Sequence, residues 1–326
     1  MWVRTSLVME GGNYAIDGLG RIDAADDLSL LTTARPVSGR LLTTSRDTSA
    51  AVALAARMGA IIQSRYPALW PETIRGLVIH SAEWAAEMKE EFPDTRRKDR
   101  LRCYGWGVPQ MERAIWSAEN AVTIIYEGQI QPFDKVGGQV RTKDMHIHEF
   151  PWPKDVLQMF PAETVRMRVT LSYFVEPSPG RQGWTRRHRY QSHGLRFDVK
   201  GPTQTLKDFR RWLSREAGEE EREGVQDEDV VPRRQGGGQP WALGRNLRAR
   251  GSIHSDWWKG SASELASCGY IGVYPVTGWW RERPHLGRWN RPARYSLIVS
   301  LETPSTDINL YTAIASQVGV ATQIET

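Results

Sequence analysis

Cysteine is nearly missing from the chain: Cys103 and Cys268 are the only two in 326 residues, far apart and without metal-ligating neighbours. That excludes a disulfide framework and a zinc-cluster domain, and it points to a reducing compartment. No apolar run is long enough to span a bilayer. Met1 to Asn13 carries no charged-then-apolar leader pattern, so the expected location is cytoplasmic with no membrane partner. Neither sign of charge dominates, with 43 Lys+Arg against 38 Asp+Glu. The basic residues are scattered rather than striped, so no nucleic-acid partner is expected. Histidine is sparse, seven in all with none before His80, and there is no internal repeat. What is present is an ordinary apolar fraction of 40%, enough for one large core or two smaller ones, and an unusual 14 tryptophans.

The chain changes character at about residue 120. Before it, the pattern reads as α/β. Val3 to Met9 suits a short strand ended by the turn-prone Glu10-Gly11-Gly12-Asn13. Asp17 to Arg40 is polar and reads as loop, with a brief strand at Leu41 to Thr43. The spacing of Val52, Ala55, Ala56, Gly59, Ile62 and Tyr66 predicts a buried helix from Ser49, stopped by Pro67. Pro71 with Glu72 opens a second helix whose core face is Ile74, Leu77 and Val78. The turn Tyr104 to Pro109 precedes a short helix through Trp116.

After that point, strand-like runs occur at 121–126, 145–150, 165–174, 195–200, 268–276 and 295–301, which suggests an all-β sandwich. Leu206 to Arg215 is helical in pattern. Glu216 to Gly238 is charged and Gly-rich and reads as a solvated stretch, within an insertion at about 203–240. The expected domains are therefore 1–120 and 121–326.

The segment with chemical content is Asp47-Thr48-Ser49-Ala50-Ala51. A serine hydroxyl is a weak nucleophile until a base removes its proton and N–H donors stabilise the oxyanion that forms. A serine in the first turn of a helix has such donors at hand, and small alanines behind it let the helix lie deep. Taken alone, the same residues also describe an ordinary N-cap before a buried helix.

The order Glu10-Gly11-Gly12, Asp47-Thr48-Ser49-Ala50-Ala51, Arg65-Tyr66-Pro67, Thr73-Ile74-Arg75-Gly76-Leu77 and Tyr104-Gly105-Trp106-Gly107 resembles the last third of a subtilisin-like serine peptidase catalytic domain. The resemblance covers about residues 3–118. It implies peptide-bond hydrolysis through an acyl-enzyme on Ser49, with Gly11 and Gly12 in substrate binding, a peptide or protein substrate, and no cofactor. Val165 to Phe174 likewise resembles a strand of the jelly-roll domains appended to some of these peptidases. The implied fold is the C-terminal part of an α/β catalytic domain followed by a jelly-roll-like sandwich.

Two departures stand out. Asp47 occupies a position where the family usually has glycine, and the Asp and His that complete the family's triad find no match among the 48 residues before Ser49. The expectation is that an upstream half or a partner chain supplies them, and that this chain alone has little or no activity. A related Glu/Asp/Ser peptidase family has a similar serine loop and fits these residues too.

The remaining candidates carry less. Asn13 reads as a turn residue or as an oxyanion asparagine, and His80 as a packed helix-end residue. His146 and His148 alternate along one strand, but spacing places no third ligand, so no metal site is expected. His188, His193, His254 and His285 receive no role. Arg181 to Arg189 is a solvated hairpin loop or a polyanion contact. Trp257-Trp258 and Trp279-Trp280 either seal the sandwich or form a stacking platform, and the second choice defines the competing function, a non-catalytic glycan- or peptide-binding module.

Overall fold

The computed structural model describes residues 6–35, 39–119, 123–152, 154–159, 161–162, 164–179, 190–223, 241–249 and 251–302. Helix and sheet are mixed throughout. The chain divides into two compact units: one of residues 1–69 and 77–115, the other of 70–76 and 116–326.

The first unit begins with a segment whose Val8 N–H donates to Gly107 C=O at 2.9 Å. Two small antiparallel pairs follow, β1 (Ala15–Ile16) with β2 (Ile22–Asp23), and β3 (Leu30–Thr33) with β4 (Leu42–Ser45). Within the 17–40 stretch expected to be loop, Ile22–Asp23 and Leu30–Thr33 are thus paired. Asp17 organises the first turn by accepting the N–H groups of Leu19 and Arg21, a local device that leaves no hydrophobic periodicity to read. The helices α1 (Asp47–Arg65), α2 (Pro71–His80), α3 (Ala86–Glu91), α4 (Arg97–Tyr104) and α5 (Met111–Glu119) complete this part of the chain.

Helix α1 ends where Pro67 forbids continuation, with Tyr66 N–H closing on Ile62 C=O. Only Ala50, Met58 and Ile62 of its 19 residues are buried, so the helix expected to be buried is largely open. Helix α2 starts at Pro71 and buries Leu77, Val78 and Ile79. Gly107 lies at φ +97°, where a Cβ would come within 2.1 Å of Glu83 C=O, so only glycine closes this turn.

The second unit carries β5 (Thr123–Ile130), β6 (Phe133–Val136), β7 (Gln139–Thr142), β8 (His146–Glu149), α6 (Lys154–Met159), β9 (Thr164–Tyr173), β10 (Gly194–Val199), α7 (Leu206–Glu223), α8 (Gly244–Arg248), β11 (Ile253–Ser261), α9 (Ala262–Ala266), β12 (Tyr270–Val276), α10 (Trp279–Glu282) and β13 (Ala293–Glu302). These form a four-stranded antiparallel sheet ordered β11-β9-β13-β5, a three-stranded sheet ordered β10-β12-β8, and the β6-β7 hairpin.

Alternate residues of β9 and β13 (Val169, Leu171, Leu297, Val299) share one hydrophobic core with Phe197 of β10 and Val273 of β12. The small open sheets are compatible with an α/β description, and among the described residues they hold seven strands where a jelly roll has eight. The charged stretch from Glu216 departs from expectation: through Glu223 it continues α7. Phe209, Leu213 and Ala217 of that helix are buried against Tyr274 and Val276, and Glu216 pairs with Arg245 at 2.8 Å, so tertiary contacts hold a segment whose local composition looks solvated. Residues 224–240 and Arg181 to Arg189 lie outside the described residues.

Candidate active site

Strand β4 delivers the chain to α1 through Arg46, which is extended (φ −147°, ψ −174°), and Asp47, at φ +69°. Among the described residues Asp47 is the only non-glycine residue with positive φ. Asp is one of the few side chains that tolerate the left-handed region, so the loop keeps a glycine-like conformation without a glycine.

The backbone of the Gly11-Gly12 segment braces this step. Asp47 N–H donates to Gly11 C=O at 2.6 Å. A Cβ on Gly11 would stand 2.9 Å from the Asp47 carbonyl oxygen. Gly12, at φ +78°, would place one 3.0 Å from Leu28 C=O and 3.1 Å from Arg46 Cβ. Neither position has room for a side chain beside the serine loop.

Ser49 follows two residues later, in the first turn of α1. It is exposed, while Ala50 beneath it is buried. The backbone N–H groups at this end have no intrahelical acceptor, and the helix dipole adds partial positive charge where an oxyanion would form. Among the described residues no side chain hydrogen-bonds the Ser49 hydroxyl. The nearest acidic residue in sequence, Asp47, has its carboxylate 3.5 Å from the Tyr14 hydroxyl, and Arg46 lies over the Tyr14 ring at 5.9 Å.

Other candidates sort differently. Asn13 Oδ1 accepts the N–H of Tyr14 at 2.9 Å, a turn-forming role. His80, the only histidine of the first unit, is buried at the end of α2. The four candidate tryptophans are also buried: Trp258, Trp279 and Trp280 belong to the core of the second unit, and Trp257 packs under the Arg168 guanidinium at 4.2 Å. Indole faces enclosed this way offer no platform to a glycan or peptide, which removes the main support for a binding module. His193, just before β10, and His254, on β11, are buried, and His285 is exposed. His188 lies outside the described residues.

Residues 2–107 match the family model Peptidase_S8, the subtilase family. This part of the chain is subtilase-family sequence. The matched stretch contains Gly11, Gly12, Asp47, Ser49 and the Gly105-Trp106-Gly107 turn, and it gives a serine-peptidase assignment at the level of the family. No curated protein matches the chain. No helix among the described residues is long and apolar enough to cross a membrane.

Two features of the second unit escaped the sequence reading. The first is a buried ionic network. Arg248 pairs with Asp198 at 2.7 Å and Asp256 at 3.5 Å, Arg245 pairs with Asp198 at 2.9 Å, and Asp256 also accepts the N–H groups of Leu243, Gly244 and Trp257. Burial pushes the Asp256 carboxyl above its usual range despite those partners. The second is a cluster of His146, His148, Tyr126 and Tyr295. No sequence signal joins residue 146 to residue 295. Only the visible alternation of the two histidines hinted at it.

Proposed function

We propose that this chain is the nucleophile-bearing portion of a subtilisin-like serine endopeptidase. Ser49 attacks the carbonyl carbon of a peptide bond, the departing amine takes a proton, and water then hydrolyses the acyl-enzyme. The backbone N–H groups at the mouth of α1 stabilise the oxyanion, and Gly11 and Gly12 receive the substrate chain beside the serine. The Asp and His that activate Ser49 come from an upstream half or a partner chain, so the chain alone has little or no activity. The appended β unit is a jelly-roll-like module that supports the catalytic part or helps to place substrate.

The observation that carries this reading is the position of Ser49: exposed in the first turn of an Ala-rich helix, two residues after a left-handed residue, within the subtilase-matched stretch. The open surface of the first unit adds support. Ile16, Leu19, Ile22, Leu31, Leu41 and Val52 are all exposed, as expected of a layer that awaits cover.

A fluorophosphonate probe tests it. We expect slow or no labelling of this chain alone, and labelling of Ser49 once the Asp–His portion is present. Labelling that survives Ser49→Ala removes Ser49 as nucleophile. Labelling of the chain alone at the rate of a complete peptidase removes the claim that it needs another part.

A further inference from the structure

Within the second unit, four ring-bearing side chains from three strands meet around one oxygen. His146 Nδ1 stands 2.7 Å from the Tyr295 hydroxyl, and His148 Nε2 stands 2.9 Å from the same atom. Tyr126 shares a hydrogen bond with that hydroxyl and lays its ring 4.0 Å, centre to centre, from the His148 imidazole. Gly128 makes the room, since a Cβ there would come within 2.6 Å of Tyr126 Cε1. The histidines share a face because they alternate on β8, opposite Ile271 and Val273 of β12. Tyr295 arrives from β13 of the other sheet. Because β8 is an edge strand, both histidines stay partly open to solvent while Tyr295 is buried.

We propose that His146 Nδ1, His148 Nε2 and the Tyr295 oxygen form a binding site for a divalent transition-metal cation of the copper–zinc class. Two observations carry this. The donors already converge: metal–ligand bonds of about 2.0–2.1 Å at the right angles of a square-planar copper(II) site leave neighbouring donors about 2.9 Å apart, close to the two N···O separations seen. The donor set is chemically apt, because imidazole nitrogen suits copper and zinc, and a phenolate adds a charged oxygen.

The balance is simple. The cation replaces the Tyr295 hydroxyl proton, which leaves to solvent, and the oxygen binds as phenolate. One proton is released for each cation bound, so binding tightens by about tenfold per pH unit. Two histidines on alternate strand positions are a weak motif alone, and the third donor comes only from the packing of the two sheets.

The test uses the full chain without a tag, stripped by chelator and titrated with copper(II) at several pH values. We expect one equivalent bound, nitrogen hyperfine structure from two imidazoles in the electron paramagnetic resonance spectrum, and a visible phenolate-to-copper charge-transfer band. Tyr295→Phe keeps the ring packing, and we expect it to abolish the band and weaken binding at least tenfold, with circular dichroism reporting an intact fold. His148→Gln should remove one nitrogen from the spectrum. No binding by the parent chain overturns the proposal, and so does binding that Tyr295→Phe and His148→Gln leave unchanged.

Discussion

The two units of this chain treat their apolar side chains in opposite ways. Among the described residues, ten large hydrophobic side chains of the first unit are exposed, with Leu19 at 79% and Leu41 at 86%, whereas the larger second unit exposes five. The first unit is shaped chiefly by its backbone: glycines at 11, 12 and 107 allow close approach, Asp47 turns left-handed, and two short strand pairs end without neighbours. The second encloses tryptophans, tyrosines and a five-residue ionic network. Among the described residues, the second unit thus encloses its large apolar side chains more completely than the first.

The largest effect should come from the second unit's charged interior. Arg248 holds Asp198 and Asp256, donates to Phe197 C=O at 3.0 Å and covers the Phe197 ring at 4.3 Å. Arg248→Ala leaves two buried carboxylates undercompensated, which costs about 4 kcal/mol by analogy with broken buried pairs. Urea unfolding followed by tryptophan fluorescence measures this well, because only Trp2, Trp84 and Trp106 of the 14 tryptophans lie in the first unit. A loss below about 1 kcal/mol, as for a surface ion pair, would break the contrast.

Acid should act on the same unit through buried histidine. His193 is enclosed between Tyr173 and Trp280, with Nδ1 3.0 Å from Ser192 Oγ, and burial pushes its pKa down to about 3. A base whose folded pKa is depressed leaves the unfolded chain binding more protons across that interval. Its stabilising effect is thus complete above about pH 6.5 and is lost progressively as pH falls toward 3. It contributes a slope approaching about 1.4 kcal/mol per pH unit, or about 2 kcal/mol between pH 6.5 and 4.5. His193→Phe should remove its share of that slope in urea titrations from pH 7 to 4.5, and an unchanged slope would show that His193 protonates freely in the folded state.

The sequence was legible where the signal is local. The helix opening beside Ser49, its stop before Pro67 and the start at Pro71 each follow from residues within a few positions of the feature. The alternating runs behind β5, β8, β9, β10, β12 and β13 were equally visible. Strand β11 was not, because His254-Ser255-Asp256-Trp257-Trp258 mixes buried polar and aromatic residues on both faces. The tail of α7 stayed hidden because Arg245, 29 residues away, holds Glu216. The openness of α1 was also missed. Its alanines, leucine and isoleucines fit a buried helix by composition, but burial depends on a neighbour that composition does not reveal.

That openness yields the smallest effect and the most direct test of the contrast. Val52 is 60% exposed on α1, and Val169 is fully buried on β9. Serine and valine have similar helix propensities, so Val52→Ser should change stability by less than about 0.5 kcal/mol. It should also lower binding of a hydrophobic dye and slow self-association, because it removes apolar surface that water already touches. Val169→Ser removes two methyl groups from a packed interior and brings in a hydroxyl, at a cost of about 3 kcal/mol. Equal losses in the two variants would mean that Val52 is covered in solution, and the first unit would then be as closed as the second.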